Sequence, residues 1–151
     1  MLRNIALNPA SSDQTGLTLI DCLDYQTVVH RIEQIADNVR NISKTAIALG
    51  SEEQLPPFLL EPLLVAGHVA NGIFEEGVKA FFTKDVAAAN KIIDSQIEIE
   101  ELNREIIEKT MVEKRAIIVC ATCQIRDSIS RIAEYGADIA KVTINRVIGR
   151  E

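Results

Sequence analysis

Between Thr18 and Gly50 no glycine or proline interrupts the chain, and apolar residues recur at spacings of three and four. They are Leu19, Cys22, Leu23, Val28, Val29, Ile32, Ile35, Ala36, Val39, Ile42, Ala46 and Leu49. That period predicts one long amphipathic helix. Thr18 followed by Asp21 is the spacing of an N-cap with a reciprocating acid, and Gly50 is a natural C-terminal stop. Pro56-Pro57 forbids continuation. Pro62 suits only a first helical turn, so a second helix is expected to begin between Phe58 and Glu61 and to run to about Thr83. Gly67, Gly72 and Gly77 would each cost it about 1 kcal/mol relative to Ala, an expense that close helix contact would explain.

Thr83-Lys84-Asp85 supplies a turn and a new cap. A third helix is predicted to about Lys109 with Val86, Ala89, Ile92, Ile93, Ile97 and Leu102 inward. After a break near Thr110 to Glu113, a fourth runs to Ile148, with Gly149 closing it. The alternation Ile97-Glu98-Ile99-Glu100 lies inside this helical period, so no strand is predicted. Residues 1–17 read as an irregular N-terminal segment and 18–151 as one helical domain. The fold class is all-α, an antiparallel bundle of about four long helices joined by short links.

Composition narrows the chemistry. The 151 residues are 47% hydrophobic but only 4% aromatic, without Trp, so the core is aliphatic. A net charge of -6 disfavours direct contact with a phosphate backbone, and no nucleic acid partner is expected. Three cysteines, Cys22, Cys120 and Cys123, leave one over in any pairing and suit a reducing compartment. The N-terminus lacks the apolar core of a signal peptide, and the longest purely apolar run, Ala116 to Ala121, is too short for a membrane span. A soluble, cytoplasmic protein without membrane insertion is expected.

Laying Gln34–Ile47 over Arg131–Ile144 aligns two stretches without a gap. Ile35, Ala36, Ile42, Lys44 and Ile47 match Ile132, Ala133, Ile139, Lys141 and Ile144, while Asp37 meets Glu134 and Asn41 meets Asp138. The chain thus carries a duplicated helix. In each copy two acids stand one turn apart, Glu33/Asp37 and Glu134/Asp138, and such like-charge pairs cost a helix about 0.2–0.5 kcal/mol. Arg40, Lys44, Arg131 and Lys141 on the same faces are one way to offset this. The other is a cation. Oxygen-only ligands at i and i+4 favour hard ions such as iron, Mg²⁺, Mn²⁺ or Ca²⁺, which makes Glu33, Asp37, Glu134 and Asp138 the candidate metal ligands.

Other constellations carry less. Cys120-Ala121-Thr122-Cys123 has C-x-x-C spacing but falls inside a helix, where buried packing is the expected role. His30 lies one turn before Glu33, whereas His68 has no evident partner. Neither histidine follows a Glu by three residues, which excludes ferritin-type di-iron chemistry. No phosphate loop or catalytic Ser/His/Asp arrangement appears, so no enzyme is expected.

The duplicated segments, Glu33-Gln34-Ile35-Ala36-Asp37-Asn38-Val39-Arg40-Asn41-Ile42 and Arg131-Ile132-Ala133-Glu134-Tyr135-Gly136-Ala137-Asp138-Ile139-Ala140, resemble the signature of the PhoU family, the second in a form similar to archaeal members. Phe81 to Ile93 is similar to that family's turn between its first and second helices. The resemblance spans residues 18–148 and implies a helical regulator of phosphate uptake, with a metal on its acidic element. It also implies contacts with a phosphate transporter ATPase, a sensor protein, or both. Two differences stand out: Ser130 occupies a position where the family often has Glu, and Gln34 replaces an Arg. The chain holds one complete three-helix unit and only the last helix of another, so a homodimer is expected to complete the bundle. The alternatives are a metal-binding or storage protein, and an oligomerisation or interaction module linked to another transporter or channel.

Overall fold

The computed structural model describes residues 17–50 and 53–148, and all regular structure among them is helical. The helices are α1 (Leu19–Leu49), α2 (Pro57–Thr83), α3 (Val86–Asp94), α4 (Gln96–Thr110) and α5 (Ala116–Ile148). The start of the chain, expected to be irregular, and Gly149 lie outside the described residues.

Local chemistry sets the boundaries. Thr18 and Asp21 form the expected capping box: the Asp21 N–H donates to Thr18 Oγ1 at 3.1 Å and the Thr18 N–H donates to Asp21 Oδ2 at 3.0 Å. Gly50 ends α1 at φ 67°, and its N–H donates to the Ile47 carbonyl. Lys84 closes α2 in the left-handed region at φ 57°. Asp85 then caps α3 by accepting from the Ala88 N–H at 2.9 Å.

Three expectations are corrected. Helix α2 begins at Pro57 rather than beyond it, placing Pro57 in its first turn and Pro62 inside the helix. Pro62 has no N–H to offer the Phe58 carbonyl, a loss confined to one position near the start. The third helix is two: at Ser95, whose Oγ donates to the Lys91 carbonyl at 3.0 Å, the rod divides into α3 and α4. Ile97 is exposed, because five residues past Ile92 it stands about 140° round the helix, while Ile92, Ile99 and Ile106 are buried.

Helix α5 is the hub, packed against each of the other four. It runs parallel to α2, with Gly67 beside Ile129 and Gly77 against Gly136. Helix α4 returns antiparallel, and the Asn103 amide donates to Ser130 Oγ at 2.8 Å. Together α2, α3/α4 and α5 form a complete three-rod unit around Leu63, Ala66, Ala70, Ile73, Ala89, Ile92, Ile99, Ile106 and Ala133. The glycine expectation holds at one of its three positions. A Cβ on Gly77 would lie 2.6 Å from the Gly136 carbonyl oxygen, and one on Gly136 would lie 2.9 Å from the Phe74 backbone. A Cβ on Gly72 would meet nothing within 4 Å.

Helix α2 has the length and apolar composition of a membrane span, although no purely apolar run in it does. A third of its most apolar stretch is buried within the fold, where Leu59, Leu63, Ala66, Ala70 and Ile73 give that apolarity a packing role.

Candidate functional site

Helix α1 stands apart from this unit and packs chiefly on α5, antiparallel to it. Arg146 meets Asp21 at one end, Arg31 meets Asp138 in the middle, and Thr45 donates to Gln124 at 3.2 Å towards the other end. The two duplicated helices are thus laid against each other. In the register that superposes Gln34 on Arg131, Arg31 corresponds to Ser128 and Asp138 to Asn41. Asn41 and Ser128 line one polar recess with Lys44, Asp127 and Arg131. The helix pair therefore has approximate twofold character, with an ion pair on one side of the axis and neutral side chains on the other.

Arg146 and Asp21 close the α1 N-terminus onto the α5 C-terminus. Arg146 Nη2 donates to Asp21 Oδ1 at 2.9 Å, with both side chains almost wholly buried. Asp21 Oδ2 meanwhile accepts from Thr18 Oγ1 at 2.7 Å, so one carboxylate both caps a helix and joins two. The guanidinium lies over two aromatic rings, 5.1 Å from the Tyr25 centroid and 5.0 Å from that of Phe81, and those rings meet edge-to-face at 5.3 Å. Burial pulls the Arg146 pKa down, but the bonds to Asp21 and Tyr25 outweigh it and hold the group above its ordinary value.

The four candidate metal ligands are distributed differently from what their spacing suggests. Asp138 is engaged from both sides: Arg31 Nη2 approaches Oδ2 at 2.9 Å and Lys141 Nζ approaches Oδ1 at 3.0 Å, while the Arg31 guanidinium covers the Tyr135 ring at 5.1 Å. Glu134 lines a recess with Lys141, Asn103 and Ser130. Asp37 is exposed and 3.3 Å from Arg40, and Glu33 is exposed with His30 Nδ1 at 3.9 Å. The structure thus brings Asp138 to α1 but does not gather Glu33 and Asp37 with Glu134 and Asp138. Among the described residues no three His, Cys, Asp or Glu side chains stand close enough to hold a metal ion. Within one chain these carboxylates do not assemble a ligand set.

Ser130 belongs elsewhere. Its Oγ accepts from the Asn103 amide at 2.8 Å, fastening α4 to α5, and donates to the Arg126 carbonyl at 3.0 Å. Cys120 and Cys123 lie within α5 as expected, but Cys120 is exposed and Cys123 half-buried, so the pair is not a core element. His68 lines an apolar groove between α1 and α2 that is floored by Ile125 and Ile129.

Sequence reasoning passed over Arg31, Arg146, Tyr25 and Asn103, which make most of the polar contacts between helices. Arg146 carried a signal in its place in the last helical turn, although that position ordinarily indicates a solvated partner of the helix dipole.

The larger departure concerns α1. Of the twelve apolar residues whose period predicts this helix only Cys22, Val28 and Ile35 are buried, whereas Leu19, Leu23, Val29, Ile32 and Val39 are exposed. One flank rests on α5 and the other rests on nothing among the described residues.

A complete three-rod helical unit, joined to a second copy of its own last helix and bearing no catalytic constellation among the described residues, defines an all-α helical-bundle protein. The PhoU domain family matches residues 63–143, a span from α2 to α5, and the chain belongs to that family. No curated protein and no solved structure matches it.

Proposed function

We propose that this protein regulates phosphate uptake by docking on protein partners, without catalysing a reaction itself. The observation that carries this reading is the unequal treatment of the duplicated helices: α5 is sheathed by its unit, while α1 presents a long apolar flank on a family fold associated with phosphate transport control. A large apolar surface on a charged, acidic chain is characteristic of an interaction site. The partners that fit are the ATPase of a phosphate transporter, a sensor protein of that pathway, and a second copy of the chain. The first two act on the cytoplasmic side, and this reading makes the protein cytoplasmic.

Comparison of phosphate uptake in cells with and without the chain tests this reading. A change in uptake, together with direct binding of the purified protein to the transporter ATPase or the sensor, supports it. Unchanged uptake and no binding to either would refute it.

A carboxylate-held cation is not required. Glu33 and Asp37, one turn apart and exposed, are the pair still open to one, with further ligands supplied from outside the described residues. Metal content of the purified protein decides: metal lost from Glu33→Ala/Asp37→Ala with folding intact supports a site there, and a metal-free parent protein excludes it.

A further inference from the structure

The exposed flank of α1 has a defined counterpart. In the register of the duplication, Ile32, Ala36, Val39, Ser43 and Ala46 correspond to Ile129, Ala133, Gly136, Ala140 and Thr143. All five of the α5 residues are buried, and Ile129 and Gly136 lie directly against α2. All five of the α1 residues are exposed. The flank extends at both ends, with Val29 at 48% and Ile47 at 78% exposure beside Ile32 at 37% and Val39 at 49%. It is therefore a helix-packing face by pattern, and no helix among the described residues covers it.

Charge along its margin selects the occupant. On the exposed side of the stripe, the N-terminal half carries Glu33 and Asp37, and the C-terminal half carries Arg40 and Lys44. A second α1 laid antiparallel, with a twofold axis between Asn38 and Val39, sets Glu33 opposite the partner's Lys44 and Asp37 opposite the partner's Arg40. The same register sets Val29 over the partner's Ile47, Ile32 over the partner's Ala46, and Ala36 between the partner's Val39 and Ser43. Ile32 and Val39 thus meet small residues near the axis, as interdigitating helices require, while Val29 and Ile47 close the two ends. A parallel arrangement would put the two charged margins on opposite edges of the seam and leave these pairs unmade, so charge favours the antiparallel one.

We propose that the outer face of α1 is a homodimer interface, formed antiparallel across this axis. The proposal deepens the self-association named above and does not depend on phosphate regulation. Forming it exchanges the exposed intrahelical contact of Asp37 with Arg40, 3.3 Å apart, for contacts between copies. That contact is solvated and weakly held, so the exchange is cheap. The stripe runs for about five turns, or about 27 Å. That length gives an interface at the small end of the range for stable complexes, and the dimer is expected to dissociate on dilution.

Sedimentation equilibrium on the full chain, over a wide concentration range, provides the test. The parent protein should show a reversible dimer. Glu33→Lys/Asp37→Lys makes the margin wholly positive and Arg40→Glu/Lys44→Glu makes it wholly negative. Each alone should raise the dissociation constant by about tenfold or more. An equimolar mixture of the two should recover association as a heterodimer, which loss of folding in either variant could not produce. A dimer indifferent to both reversals would overturn this interface while leaving self-association in place. A parent chain that is monomeric throughout would overturn both.

Discussion

Arg146, in the last turn of α5, donates to the Asp21 carboxylate at the start of α1 across 125 positions of sequence, and both side chains are less than a tenth exposed. This bond does more than join two helix ends. The Thr18 N–H and hydroxyl both donate to Asp21 Oδ2, which orients the carboxylate so that Oδ1 faces Arg146. Tyr25 and Phe81, packed edge-to-face, both lie against the guanidinium, which places α1, α2 and α5 around one cation.

Removing Arg146 should therefore be costly. Arg146→Met leaves Asp21 buried beside two rings without its guanidinium, and a buried pair broken on one side loses about 3–5 kcal/mol. Urea denaturation should show that loss, and hydrogen exchange should show earlier opening at the first turns of α1 than elsewhere.

The glycines separate by geometry. Gly77→Ala drives a methyl into the Gly136 carbonyl at 2.6 Å, so α2 and α5 must part and stability should fall by about 1–3 kcal/mol. Gly72→Ala meets no atom within 4 Å and should raise stability by up to about 1 kcal/mol through helix propensity alone. Thermal melts of the two variants should move in opposite directions.

Glu113 in the α4–α5 turn offers a pH probe. Bonds from the Arg115 side chain and backbone, with a further one from the Lys114 N–H, lower its pKa from 4.5 to about 2. The group favours the folded turn fully above its unfolded value near 4.5, and that contribution is lost as pH falls towards 2. An NMR titration should place the Glu113 carboxyl midpoint near 2, and Arg115→Ala should return it towards 4.5.

Asp138 is predicted to act as a structural residue. Its pair with Arg31 is only partly exposed and crosses between helices, so Asp138→Asn should cost about 1 kcal/mol or somewhat more. A double-mutant cycle with Arg31→Ala should recover most of that cost as coupling, and the metal content of the protein should not change.

Much of this was legible in the chain because it is local. The Thr18–Asp21 box, the Gly50 stop and the Asp85 cap each depend on residues within a turn or so, and the structure has them where the spacing put them. The duplication was legible too, since identity in register needs no tertiary knowledge. What stayed hidden depends on relations between helices. Periodicity shows that Ile32 and Val39 share a face with each other, but not whether a neighbour covers it. Spacing puts Glu134 and Asp138 on one helix face, but only packing reveals that Arg31 has come across to claim Asp138. Composition treats Gly72 and Gly77 alike, and only the α2–α5 approach at Gly136 tells them apart.

The central claim is that the uncovered side of α1 is where the protein acts. Ile32→Asp/Val39→Asp places two charges on that side without touching the core, and phosphate uptake in cells carrying it, compared with cells lacking the chain, is the most direct measurement. The account predicts a folded, helical variant whose uptake matches that of the deletion. A folded variant that regulates uptake as the parent does would contradict it.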